Sequence, residues 1–220
     1  MLPVFALPPL TFAAVPILFE SQYNPPAQFF AELAGHDALW LERHDNYRKQ
    51  TYRNRCLILT NQGPKPLTVP VIDGNRSQKV LTSAIEIDYR QNWVHQHWRS
   101  LQTAYGGTPY FEYYADYLHD IYLQKPTLLF ELNLAFLQFY LRCLRLRTPV
   151  EFTTEYHPQY APSLVLDRRD CLTPKATFGT EPDRKSVQPY PQTFGKDFVP
   201  GLSILDLLFM QGPAAGSFLA

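Results

Sequence analysis

Cysteine, glycine and any surplus of charge are all scarce in this sequence, and each shortage excludes something. The three cysteines, Cys56, Cys143 and Cys171, are an odd and scattered set. They fit neither a disulfide framework nor paired metal-ligand spacing, so a reducing, cytoplasmic setting is expected and no metal site is assigned. Lys and Arg together number 20, and so do Asp and Glu. No global field therefore draws the chain to nucleic acid or an anionic membrane, and any anion binding must be local. No charged side chain occurs from Met1 to Phe19. That stretch lacks a basic leader, however, and Pro3, Pro8, Pro9 and Pro16 would break a signal or spanning helix. Residues 1–14 are expected to be a poorly ordered appendage, and no other stretch approaches spanning length.

What is abundant is aromatic surface and proline. Phe, Tyr and Trp make up 15% of the 220 residues, and 20 prolines interrupt the chain. A chain of this length suits one well-packed domain, here residues 15–220, with an irregular Pro-rich stretch at 157–198. Val15 to Glu20 reads as a buried strand, Gln28 to Ala34 as a helix opened by Pro25-Pro26, and Ala38 to Glu42 as a second strand. That order begins a parallel α/β unit. Cys56 to Leu59 and Leu67 to Val71, separated by Asn61-Gln62-Gly63-Pro64, signal a hairpin. Ile85, Ile87 and Tyr89 alternate with Glu86 and Asp88 as a half-wet strand would.

Helical spacing then takes over at Val94, Trp98, Leu101 and Tyr105, and again from Phe111 to Ile121. Thr127 to Leu144 is apolar almost all round and predicts a fully buried helix. Val150 to Glu155 suggests a last strand, and Ser203 to Phe209 a short helix with Ser203 and Asp206 spaced as a capping box. The fold class is α/β: a small, partly parallel sheet with a β-hairpin, packed by helices mainly from the second half.

The densest polar cluster runs from Asn46 to Arg55. If Lys49 to Arg55 is extended, Lys49, Thr51, Arg53 and Arg55 share one face, which would suit a phosphate or carboxylate. A solvated edge strand guarded by charge reads the same pattern equally well. Gln22 and Tyr23 follow the first strand, where ligands of open α/β sheets collect, although no glycine-rich phosphate loop is present. His44-Asp45 lies just past the second strand and offers acid–base groups, or simply a surface pair. His97 beside Trp93 is a packed core or cleft residue, and Cys56 opens an apolar run as a buried thiol would.

Taken in order, Gln22-Tyr23-Asn24-Pro25-Pro26, Glu42 with Asn46-Tyr47, Lys49 with Tyr52-Arg53-Asn54-Arg55, His97-Trp98, Leu132-Asn133 and Leu202 to Leu208 resemble the WbqC-like family. This bacterial family is often associated with genes for O-antigen and other surface polysaccharides. Relatives look like His-Gln-Pro at the first turn and carry an acidic pair near the second strand, where this chain has Ser21-Gln22-Tyr23 and His44-Asp45. The resemblance implies a transferase of surface polysaccharide biosynthesis acting on a nucleotide-activated sugar or acyl donor, or else a non-catalytic binding or assembly module of the same pathway. On that reading Lys49, Arg53 and Arg55 hold a phosphorylated or carboxylated small molecule, while Gln22, Tyr23, Tyr47 and Asn54 orient it. His44, Asp45 or His97 moves protons. No cofactor is assigned.

Overall fold

The computed structural model describes residues 15–72, 80–174 and 185–219. The appendage expected at residues 1–14 lies outside them. Strands β1 (Ile17–Glu20) and β2 (Leu39–Glu42) are short apolar runs buried on both sides, as strands covered by helices must be. They pair in parallel, with Ile17 opposite Leu39 and Glu20 opposite Glu42. Helix α1 (Ala27–Leu33) makes the crossover and is buried along its whole length. Pro26 precedes it at the cap, where the missing N–H costs nothing.

The hairpin is β3 (Arg55–Thr60) and β4 (Gly63–Thr68), closed by Asn61-Gln62, with Gly63 at φ 98° to turn the chain. Helices α2 (Trp93–Tyr105), α3 (Phe111–Leu123) and α4 (Leu129–Cys143) follow. Strands β5 (Val150–Phe152) and β6 (Leu166–Asp167) then return to the sheet, and α5 (Ile204–Gln211) packs near the end. The four-stranded sheet has the order β5-β2-β1-β6, and every pair is parallel. All four strands therefore end at one edge. One apolar core joins sheet, hairpin and helices. Among the described residues no helix is long and apolar enough to cross a membrane.

Several local expectations are corrected. Ile85 to Tyr89 is not a strand but a segment with isolated bridges, Ile87 to Val71 and Glu86 to Leu128. Its backbone bonds alternate between the Pro70 and Thr127 carbonyls, and Pro70 and Pro126 withhold the N–H groups a ladder needs. Helix α4 is not buried all round, because Glu131, Gln138 and Arg142 form an exposed stripe. Residues 49–54 are turns rather than an extended segment. Thr51 Oγ1 donates to the Arg48 carbonyl and accepts from the Arg53 N–H, which curls the backbone. The alternating face of Lys49, Thr51, Arg53 and Arg55 is thereby lost.

The capping box is also incomplete. Ser203 Oγ accepts from Leu205 N, but the Ser203 N–H goes to the Leu57 carbonyl. The Asp206 carboxylate turns instead to Tyr105, Tyr190 and Gln192.

Candidate functional site: a charged cavity at the carboxyl edge of the sheet

Each of the two central strands ends in a glutamate, and both side chains are buried. Glu42 is fully buried, and its Oε1 accepts from the His44 N–H at 2.9 Å and from Thr153 Oγ1 at 2.7 Å. Its Oε2 accepts from Arg169 at 2.8 Å. Glu20 accepts from Gln22 Nε2 and from the Asp170 N–H, both at 2.8 Å. Burial raises the Glu20 pKa, an effect that Arg53 opposes.

The short strand β6 carries Asp167, and Arg168 to Asp170 follow beyond its end. Asp170 sits in the left-handed region at φ 57°, a conformation that Asp tolerates better than most residues. This twist aims its N–H at Glu20 and its carboxylate at two arginines. Arg53 is buried to 1% exposure, a burial no unpaired guanidinium would survive. Its NH1 donates to Asp170 Oδ1 at 2.8 Å, while Nε and NH2 both meet Asp45 Oδ2. Burial alone would weaken its charged form, but Glu20, Asp45 and Asp170 outweigh it and raise the pKa. Arg169 is held likewise by Asp167 and Glu42, with Tyr156 and Tyr160 beside its guanidinium.

Arg53, Asp45, Asp170, Asp167, Arg169 and Tyr156 line a cavity of about 560 Å³, a volume ordinary for a small-molecule site, while Glu20 and Glu42 hold two of its lining residues from behind. Its charged lining is Asp45, Asp167 and Asp170 against Arg48, Arg53 and Arg169. Arg48 is the most accessible cation, with its side chain 61% exposed and NH1 on Asp170 Oδ2 at 2.8 Å. Asp45 is the least satisfied anion: its Oδ1 is buried with no hydrogen-bond partner among the described residues.

Of the residues expected at a site, Asp45 and Arg53 line this cavity. Gln22 does not line it and donates to the buried Glu20. Tyr47 is half-buried, its pKa raised to about 12 by burial against the opposing charges of Arg53 and Arg55. Lys49 is exposed in a turn, and Arg55 reaches Thr68 Oγ1 across the hairpin. The proposed trio of Lys49, Arg53 and Arg55 is therefore not brought to one face. Asn54 is tied to the Val69 carbonyl, and His44 Nε2 lies 3.1 Å from the Thr153 carbonyl.

Tyr23 and His97 belong to a separate buried network. Tyr23 Oη lies 2.9 Å from His97 Nδ1 and 2.6 Å from the Tyr122 hydroxyl, and the network continues through Asn24 to Tyr140. The Thr68 carbonyl favours the protonated ring of His97, against the effect of burial. Burial pulls His97 down to about 4 and pushes Cys56, on the same network, up to about 12. Neither group is poised for chemistry at neutral pH.

Sequence reasoning missed Glu20, Glu42, Asp167, Arg169 and Asp170. The signal for the glutamates was present: Ile17-Leu18-Phe19-Glu20 and Leu39-Trp40-Leu41-Glu42 each end an apolar strand on an acid. Asp167 to Asp170 lay within a stretch too irregular to assign.

An α/β protein with a charged cavity beyond the carboxyl ends of parallel strands is the class that fold and site define. The family model described as "WbqC-like protein family" matches residues 20–171 and 181–218, and the chain belongs to that family. It is similar to the uncharacterized protein Rv1507c of Mycobacterium tuberculosis, at 29% identity over 228 residues, covering 92% of this chain and 96% of that protein. No solved structure matches the chain.

Proposed function

We propose that this protein is a group-transfer enzyme of bacterial surface polysaccharide assembly, acting on an activated donor that carries a phosphate or carboxylate, with its reacting centre in the charged cavity. The observation that carries the reading is Asp45. The residue lines the cavity: one of its oxygens is fixed by Arg53, and the other is buried without a partner among the described residues. That oxygen is suited to accept the proton of an incoming hydroxyl or amine.

In this scheme the acceptor's heteroatom bonds to the donor's activated carbon as the bond from that carbon to its leaving group breaks. The acceptor's proton passes to Asp45 Oδ1, and the leaving group takes the electron pair. Arg48, exchanging Asp170 for the donor, meets the departing negative charge. Arg53 and Arg169 keep the carboxylates apart and in place.

A non-catalytic binding module of the same pathway is the second reading. The near-complete engagement of Arg53 and Arg169 by carboxylates favours it, since structural ion pairs need no substrate. The experiment is incubation with nucleotide sugars and acyl donors, each with hydroxyl and amine acceptors, followed by mass spectrometry of the small molecules. Donor consumption that is lost in Asp45→Asn supports transfer. Donor binding without consumption favours the second reading.

A further inference from the structure

The exposed face between α3 and α4 differs in kind from the charged cavity. Tyr113 and Tyr117 lie one helical turn apart on α3 with side chains largely in solvent, at 66% and 63% exposure. Exposed aromatic side chains scattered singly need no explanation, but these two join Tyr114 and Phe139 around a groove of about 370 Å³. The Tyr117 and Phe139 rings are within 28° of parallel. Arg142, Cys143, Arg145 and Pro213 complete the wall, and among the described residues no carboxylate lines it.

Every cation lining the cavity at the sheet is paired with a carboxylate, whereas among the described residues Arg142 and Arg145 form no salt bridge with an acid. Arg145 also stands in an unusual place. It follows α4 in the left-handed region at φ 56°, with its N–H on the Arg142 carbonyl and the Leu146 N–H on the Leu141 carbonyl. That is the helix ending in which glycine is the common residue at this position. A side chain there is kept at a conformational cost.

We propose that this groove binds a nucleoside phosphate, with Tyr113 and Tyr117 stacking the base and Arg142 and Arg145 holding the phosphate. Aromatic faces take a nucleobase with little regard to its identity, and arginine forks match phosphate. A neutral sugar fits less well, because among the described residues the lining offers no side-chain carboxylate or amide to accept its hydroxyl protons. The groove lies near the far end of α4 from Asn133, the residue that reaches Ser21 and the Arg53 carbonyl. From Asn133 to Arg142 is about 13 Å along the helix axis. The site is thus separate from the reacting centre, and the proposal stands or falls apart from the transfer reading.

The test is calorimetric titration of the full chain with the four ribonucleoside 5′-monophosphates, with adenosine and with inorganic phosphate. At least one monophosphate is expected to bind more tightly than both adenosine and phosphate. Tyr117→Ala and Arg142→Gln should each weaken it on the order of tenfold. Arg145→Gly is the decisive variant: it should weaken binding similarly while raising the melting temperature, because glycine relieves the strained helix ending. Arg48→Gln, in the other cavity, should leave this binding unchanged. Failure of all four monophosphates to bind, or binding indifferent to Tyr117→Ala and Arg145→Gly, overturns the proposal. Inorganic phosphate binding as tightly as the monophosphates also overturns it, by removing the base from recognition.

Discussion

Arg53 grips Asp45 on one side only: Nε and NH2 both reach Oδ2, and Oδ1 is left without a partner among the described residues. The pair is nearly removed from water, with side-chain exposures of 1% and 8%. Breaking such a pair strands a buried charge, which typically costs about 3–5 kcal/mol. Arg53→Gln should therefore lower unfolding stability by that order in urea titrations. Arg48→Gln and Arg55→Gln should each cost under about 1 kcal/mol, as exposed or half-exposed contacts do. An Arg53→Gln variant as stable as the wild type would deny the pair its structural role.

His97 makes stability fall on the acid side. Its pKa is lowered by burial from 6.5 to about 4, with the Thr68 carbonyl opposing and Lys65 assisting. The unfolded chain therefore takes up a proton at higher pH than the folded one. The contribution is complete above about pH 6.5 and is lost as pH falls towards 4, on the order of 3 kcal/mol in all. Glu20 and Asp206, whose pKa values burial raises, act in the opposite sense at low pH. The measurement is accordingly a difference between wild type and His97→Gln. That variant should be less stable than wild type at pH 7, and the gap should narrow from pH 6.5 to 4.5. A gap independent of pH would contradict the assignment.

Asp206 anchors the last described stretch of the chain. Tyr105 donates to its Oδ1 at 3.0 Å, and Tyr190 and Gln192 donate to its Oδ2 at 2.7 and 3.2 Å. Tyr190→Phe removes one bond to a buried carboxylate and should cost about 1–3 kcal/mol. Hydrogen exchange should rise selectively at residues 185–199, and uniform exchange across the chain would argue against a local anchor.

The two glutamate-ended strands, the crossover helix and the long helices were legible because apolar periodicity reports burial directly. The turns at Lys49 to Asn54 were not, since a threonine hydroxyl bonding its neighbours leaves the same letters that an alternating strand would. Arg53 was singled out for its charge, but a sequence does not say which acids come to meet a cation. Asp45 is eight residues away and Asp170 is 117, the latter carried in by a two-residue strand whose pairing depends on β1. Tyr23 and His97 looked like cleft residues because phenols and imidazoles suit both wet clefts and buried networks. Tyr122, which meets the Tyr23 hydroxyl, and Tyr140, which joins the network through Asn24, lie on helices far along the chain from Tyr23.

The most direct test of the charged cavity as the site of donor binding is a thermal-shift comparison of two proteins across nucleotide sugars and acyl donors. One protein carries Tyr117→Ala, which weakens the outer groove, and the other carries Tyr117→Ala with Arg48→Gln. A ligand of the native state raises the melting temperature by mass action. At least one donor should raise it in the single variant, and Arg48→Gln should cut that donor's affinity by about 1–3 kcal/mol, the scale of one charge-assisted contact. No shift with any donor, or the same shift in both proteins, would contradict the account.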